Sequence, residues 1–410
     1  MGADGLARLH GSSCTAGAVA RPRAGVVLHA LVVLALGLPA GVAGQQAREG
    51  GTGAGRIQLV RELAIGTDPS GPEYEFAGIG PAAVSSSGSL FVSVADGGEM
   101  PIRKYDELGR YLGRIGRTGS GPGEYRGVEG MAVVGDTLLV VLDRRNGRVT
   151  VFDTGGAYRR SFPAVGTHAL KEFAAFNDGT IAVRAIVGQA PSGRARAALY
   201  GFIRYHLDGE VVDSIRVPSD DMESRVMVVR GLGYRRPFQA TTVFALLPRG
   251  GIATARSTTY RIQVAPDRGP SYLIERDVQP IPLEGRERRE WEGMQAMSSA
   301  GERSPLPRHK PFIRDLFADA EGRIWVDLYT EATPRVPEPG PGLARRPEMT
   351  MFEHNAYDVF DERGRYLGRV DLPPSSRLLA VRGDRAWVSE EADSGFYVLV
   401  RYRLRMPPVR

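Results

Sequence analysis

The chain has 410 residues, of which 42% are hydrophobic and 52 are glycine, with one cysteine and a formal net charge of +6. That length suffices for one large all-β domain or two to three ordinary ones. The basic excess is scattered and forms no run able to track a phosphate backbone, which argues against nucleic acid as a partner.

Arg21 and Arg23 precede an apolar run from Ala24 to Leu38, and Pro39 to Gly44 supplies small residues suited to cleavage after Ala43 or Gly44. Residues 1–44 therefore read as a signal peptide, whose apolar part is short for a membrane span. The protein is expected to be exported, periplasmic or extracellular, with no transmembrane segment after processing. Cys14 lies ahead of the apolar run, so the mature chain would hold no cysteine. That excludes disulfides, thiolate metal sites and cysteine nucleophiles. Residues 45–56 are polar and Gly-rich and read as a flexible leader, 57–405 as the folded domain and 406–410 as a tail.

The folded region reads as short strands rich in Val, Leu, Phe and Tyr, separated by Gly, Asp and Asn. A first group of four comprises Pro81–Val84, Ser89–Ser93, Ile102–Tyr105 and Arg110–Ile115. The second is Met131–Val134, Leu138–Asp143, Arg148–Phe152 and Ala157–Phe162. The third runs Phe173–Phe176, Thr180–Ile186, Tyr200–His206 and Glu210–Val217, with a long connection over Val187–Ala197. An irregular insertion, Pro218–Phe238, precedes the fourth: Thr242–Leu247, Ile252–Arg256, Tyr260–Val264 and Ser271–Arg276. Glu284–Ala300 reads as a short helix with Trp291, Met294 and Met297 on one face. The fifth group is Phe312–Ala318, Arg323–Leu328, Met351–Phe360 and Arg365–Val370, interrupted by a proline-rich loop from Pro334 to Pro347. The sixth has only three strands, Leu378–Val381, Arg385–Ser389 and Phe396–Leu404.

A four-stranded meander cannot bury both faces alone, so recurrence of the unit implies stacking. Ile57–Ala64 is an extended segment ahead of the first unit and can serve as the missing strand of the last. The expected fold is all-β: a six-bladed β-propeller of four-stranded antiparallel blades, closed by an N-terminal strand pairing with the last blade. Aligned second strands at Leu90, Leu138, Ile181, Ile252, Ile324 and Ala386 are spaced by 48, 43, 71, 72 and 62 residues. The later, longer steps hold the extra loops. Gly109-Arg110-Tyr111-Leu112-Gly113-Arg114 and Gly364-Arg365-Tyr366-Leu367-Gly368-Arg369 are near-identical and occupy the same place in blades one and five.

Gly121-Pro122-Gly123-Glu124-Tyr125 and Val151-Phe152-Asp153 give the second unit a form that resembles an NHL repeat. The chain is similar to NHL-type or TolB-like six-bladed propellers. Over about residues 57–405 it resembles exported bacterial propeller proteins of uncharacterised function, through Lys310-Pro311-Phe312 and Gly322-Arg323-Ile324-Trp325-Val326. The resemblance implies the fold. It leaves protein binding, carbohydrate binding and calcium-dependent lactonase activity all open.

The chemistry-bearing motifs are few. No His-Glu-x-x-His or Gly-x-Ser-x-Gly stretch occurs, and Gly119–Gly123 lacks the Lys-Ser/Thr ending of a phosphate loop. Four histidines remain after residue 44: His168, His206, His309 and His354. No cofactor, metal or catalytic set is expected. The residues leading into the blades suggest a polar, cationic rim: Arg126 and Glu129 at blade two, Lys171 at blade three, Arg236 at blade four, and His309, Lys310 and Arg314 at blade five. Such a rim suits an anionic small molecule or an acidic segment of a partner protein. The expected function is a monomeric binding or scaffold module. The alternative is a lactonase-like hydrolase using the channel mouth, with Glu129 as its test residue.

Overall fold

The computed structural model describes residues 46–48, 55–67, 71–164, 173–192, 195–218, 226–229, 232–297, 305–335, 349–392 and 395–407. Six four-stranded antiparallel blades follow one another, the first five as meanders in chain order and the sixth completed by an N-terminal strand. Blade one is Ile79–Val84, Leu90–Val94, Ile102–Tyr105 and Tyr111–Ile115; blade two is Val128–Val134, Leu138–Asp143, Arg148–Asp153 and Tyr158–Pro163. Blade three is Phe173–Ala175, Ile181–Ser192, Ala195–Tyr205 and Val211–Arg216. Blade four is Thr242–Leu246, Gly251–Arg256, Arg261–Pro266 and Tyr272–Glu275; blade five is Ile313–Ala318, Ile324–Leu328, Ala356–Phe360 and Tyr366–Asp371. Blade six is Ser376–Arg382, Arg385–Glu391 and Tyr397–Arg405, completed by Gln58–Ile65. That last pairing is antiparallel, from Gln58 opposite Arg405 to Ile65 opposite Leu399. The closure expected from the sequence is present, shifted by one residue.

The repeated turns have a common cause. Asp106 Oδ1 accepts hydrogen bonds from the backbone N–H groups of Leu108 and Arg110, both at 2.9 Å, and the Arg110 guanidinium returns to Oδ2 at 2.6 Å. Asp361 holds Arg363 and Arg365 with the same three distances. The aspartate satisfies turn donors that the ladder cannot reach, and the following glycine supplies the left-handed residue.

Hydrophobic clusters fill the seams between blades. Phe91, Ile102 and Ile115 of blade one meet Leu139 and Phe152 of blade two and Tyr125 on the connection between them. Val149 and Val151 then meet Ile181 and Val183 of blade three. Ile262 and Val264 of blade four meet Ile324 and Val326 of blade five; Trp325 and Val359 meet Val388 and Val400 of blade six. Trp387 and Leu399 close the ring on Leu90 and Val92. The seam between blades three and four is the smallest, centred on Phe202 against Phe244 with centroids 6.0 Å apart. Burying each such aromatic side chain contributes about 1.5–3 kcal/mol, so stability is spread around the ring.

The structure departs from expectation in the later blades. The connection expected over Val187–Ala197 continues the ladder as one long hairpin, paired out to Ser192 opposite Ala195. Within Pro218–Phe238, Val226–Val229 pairs with Leu232–Arg235. The single strand expected over Met351–Phe360 breaks at His354 and Asn355. There the Thr330 hydroxyl donates to the His354 carbonyl at 2.9 Å, and the Asn355 amide donates to the Ser376 carbonyl at 2.6 Å. Met351–Glu353 instead pairs with Ala332–Pro334. Inside the segment read as a flexible leader, Gln46–Arg48 pairs in parallel with the outer strand of blade four.

Candidate functional site on one end of the ring

In an antiparallel meander, the loop between strands two and three and the connection to the next blade leave from the same end. Among the described residues, every enlarged segment is of one of these two kinds. They are the long hairpin of blade three, the Val226–Arg235 hairpin, the helix Gly285–Ala296 and the hairpin of Ala332–Pro334 with Met351–Glu353. In blades one and two the loop between strands two and three is short. The opposite end carries the tight aspartate turns.

The helix joins the connection ahead of blade four to the hairpin inserted into blade five. Glu287, Glu290, Trp291 and Met294 follow the i, i+3, i+4, i+7 spacing and form its inward stripe. Met294 is buried and packs with Trp291 and Met349. Trp291 meets Phe238 edge-on at 5.5 Å, and Phe238 also lies 5.5 Å from the Tyr329 ring. Phe238 is buried with φ at 54°, a left-handed conformation that a side chain of its size adopts only where packing enforces it. Glu290 accepts from the backbone N–H groups of Thr350 at 2.8 Å and Met351 at 3.0 Å, and from the Thr350 hydroxyl. Arg288 donates to the carbonyls of Leu306 and Pro307 at 3.1 and 2.9 Å. Met297, expected on one face with Trp291 and Met294, is 40% exposed, because the inward stripe turns through Glu287 and Glu290.

Beneath the helix sits a buried ionic cluster. The Lys310 ammonium donates to the Thr330 carbonyl at 2.7 Å and pairs with Glu287 at 2.7 Å and Glu353 at 3.0 Å. Three donors thus meet three acceptors. The other Glu353 oxygen accepts from the Thr330 N–H at 2.9 Å and from the Arg314 guanidinium. Arg314 also reaches Asn355 at 3.2 Å and Asp327 at 3.5 Å, with its guanidinium 4.8 Å from the Tyr329 ring centroid. Burial pushes the Glu287 carboxyl above the usual carboxylate range, outweighing the pull of Lys310. For Glu290, burial pushes upward but the hydrogen bonds from Thr350 and Met351 prevail and hold it below that range. Burial would lower Arg314, and the Asp327 and Glu353 carboxylates raise it above its ordinary value.

The seven sequence-derived candidates separate into three groups. Lys310 and Arg314 converge on Glu353, but as a neutralised buried network and not as rim cations; Lys310 is 3% exposed. His309 and Arg236 stand on the connections around it, His309 exposed and Arg236 half-buried. Arg126 and Glu129 are exposed on blade two, outside that cluster; Glu129 lies 3.7 Å from Arg144, and the Arg126 N–H donates to Asp143 at 3.2 Å. Lys171 lies outside the described residues. Glu287, Glu353, Asp327 and Tyr329 were not anticipated. Only Glu287 carried a sequence signal, as part of the helix stripe. Among the described residues, no three His, Cys, Asp or Glu side chains are grouped to hold a metal ion. No described helix is long and apolar enough to cross a membrane.

No protein-family model and no curated protein matches the sequence. Among solved structures, the chain is similar to a member of the DUF4221 family from Bacteroides vulgatus, at 13% identity over 86% of this chain and 99% of that one, with a TM-score of 0.47. It is also similar to the calcium-binding protein regucalcin from Agrobacterium tumefaciens, at 12% identity over 85% and 97% of the two chains, TM-score 0.38. A gluconolactonase from Xanthomonas campestris shares 14% identity over 86% and 91%, TM-score 0.39. The likeness to these proteins is one of architecture.

Proposed function

We propose that the protein is an exported binding module that holds a partner protein on the roofed end of blades three to five. The observation that carries this reading is the joining of separate insertions into one roof, pinned at Glu287 and Lys310. Ordering such segments costs conformational entropy at folding, so that cost is not incurred again at binding. Arg289, Arg308 and His309 are exposed on this end. Neither Arg289 nor Arg308 has an ion-pair partner among the described residues. An acidic segment of the partner is the complement they favour.

The test is affinity capture from a cell-envelope fraction with the wild type, with Arg289→Glu/Arg308→Glu, and with Arg363→Glu at the opposite end. A partner retained by the wild type and Arg363→Glu but lost by the double variant supports the reading. No partner, or equal loss in both variants, counts against it. Lactone turnover by purified protein that disappears in Glu129→Ala would replace it with the enzymatic alternative.

A further inference from the structure

Two outer strands of the ring are built alike, and among the described residues only that of blade five has a further backbone segment along its edge; on blade one the Tyr111 N–H donates to the Tyr74 hydroxyl at 3.1 Å. Tyr111–Ile115 of blade one and Tyr366–Asp371 of blade five follow the same aspartate turn. Both ladders carry an irregularity at the matching place, between Lys104 and Tyr105 and between Val359 and Phe360. Gly113 and Gly368 both take left-handed backbone, with φ of 130° and 140°.

On blade five the glycine makes room for the chain's own N-terminal segment. A Cβ at Gly368 would lie 2.7 Å from the Gly55 carbonyl oxygen and 2.9 Å from Ile57 Cγ1. Arg56 bridges Arg369 in parallel, and the Ile57 N–H donates to the Arg369 carbonyl at 2.9 Å. Ile57 is 3% exposed, and Leu367 is partly buried against the same cluster. On blade one nothing lies within 4 Å of a Cβ at Gly113. Leu112 is 53% exposed and Leu108 62%. No backbone donor outside the sheet pairs with the Arg114 carbonyl among the described residues. Beyond Tyr111, the strand edge at Gly113 and Arg114, beside the exposed Leu112, is a template for a further strand.

We infer that the edge at Gly113 and Arg114 is a docking site for one extended segment of another protein. The segment runs parallel to the strand, bonds the Arg114 carbonyl and seats an aliphatic side chain over Gly113, as Ile57 does over Gly368. Gly116 stands where blade five has Asp371, which pairs with Arg56 at 3.4 Å. The aliphatic residue, and not a basic one, is therefore what this edge selects. A second copy is the poorer occupant, because its corresponding segment already covers its own blade five.

The probe is a fluorescent peptide of residues 53–60 carrying a photoreactive diazirine in place of the Ile57 side chain, mixed with the full chain. The expected result is saturable binding, cross-links within Tyr111–Ile115, and loss of both in Leu112→Lys, a surface change whose fold is checked by circular dichroism. Absent binding, cross-links confined to Tyr366–Asp371, or binding undiminished in Leu112→Lys would overturn the proposal. Self-association abolished by Leu112→Lys would also overturn it, by naming a second copy as the occupant.

Discussion

The Glu287 carboxylate stands 2.7 Å from the Lys310 ammonium, and the lysine side chain has no exposed surface. The pair couples a helix, added to the ring by an insertion, to the connection that enters blade five. Through Glu353 it also reaches the hairpin inserted into blade five itself. It is the point at which the roof is fastened.

Removing the cation should be the most damaging change at this point. Lys310→Met leaves Glu287 and Glu353 buried without it, and breaking a buried pair from one side costs about 3–5 kcal/mol. Glu287→Gln keeps an acceptor for the ammonium and should cost less. Urea denaturation of both variants checks the order; equal stability of Lys310→Met and wild type would contradict the burial of the charge.

The helix should respond to acid in two opposite senses. Glu287 is held above the usual carboxylate range, chiefly by burial. Its contribution is therefore fully present below the unfolded-state pKa and lost as pH rises through the folded value. Glu290 is held below that range by the hydrogen bonds from Thr350 and Met351, against the opposing effect of burial. Its contribution is present above the unfolded-state pKa and lost as pH falls through the folded one. In thermal melts across pH 3–8, the deficit of Glu287→Gln relative to wild type should shrink as pH rises. The deficit of Glu290→Gln should grow.

Phe238 is the apolar counterpart of the ionic pin. Phe238→Ala removes the ring between Trp291 and Tyr329 and should cost about 3–5 kcal/mol if the site cannot collapse. Trp325 and Trp387 are almost fully buried in other seams. A red shift in tryptophan emission that disappears in the Phe238→Ala/Trp291→Phe double variant would therefore report loosening of the roof. An unshifted spectrum would place Trp291 elsewhere.

The twin glycines offer an internally controlled comparison. Gly113→Ala and Gly368→Ala impose similar backbone strain, since both positions have positive φ. Only the second also collides with Gly55 and Ile57. Gly368→Ala should be the more destabilising by about 1–3 kcal/mol, the usual cost of overpacking. Equal losses in denaturation midpoint would mean that the N-terminal segment does not lie on blade five.

Much of the ring was legible because its signals are local. Asp106 and Asp361 each satisfy a turn within four residues, so their recurrence marks recurring hairpins whatever surrounds them. The alternation in Ile57–Ala64 likewise sufficed to complete blade six. The roof was less legible because its contacts join distant parts of the chain. Lys310 reads as a rim cation beside Pro311; nothing nearby in sequence shows that Glu287 and Glu353 close on it from either side. The long hairpin of blade three was hidden by Gly188 and Pro191, which suggest a loop although the cross-strand register carries the ladder past both. Arg126 and Glu129 were correctly placed near the start of blade two, but position along a blade does not show which end connections assemble together.

The most direct test of the binding role is photo-cross-linking in intact cells, with benzoylphenylalanine placed at Arg289 on the roof helix or at Arg363 on the opposite end. The account predicts a discrete adduct to another protein from position 289 and none from position 363. No adduct from 289, or the same adduct from both positions, would contradict it.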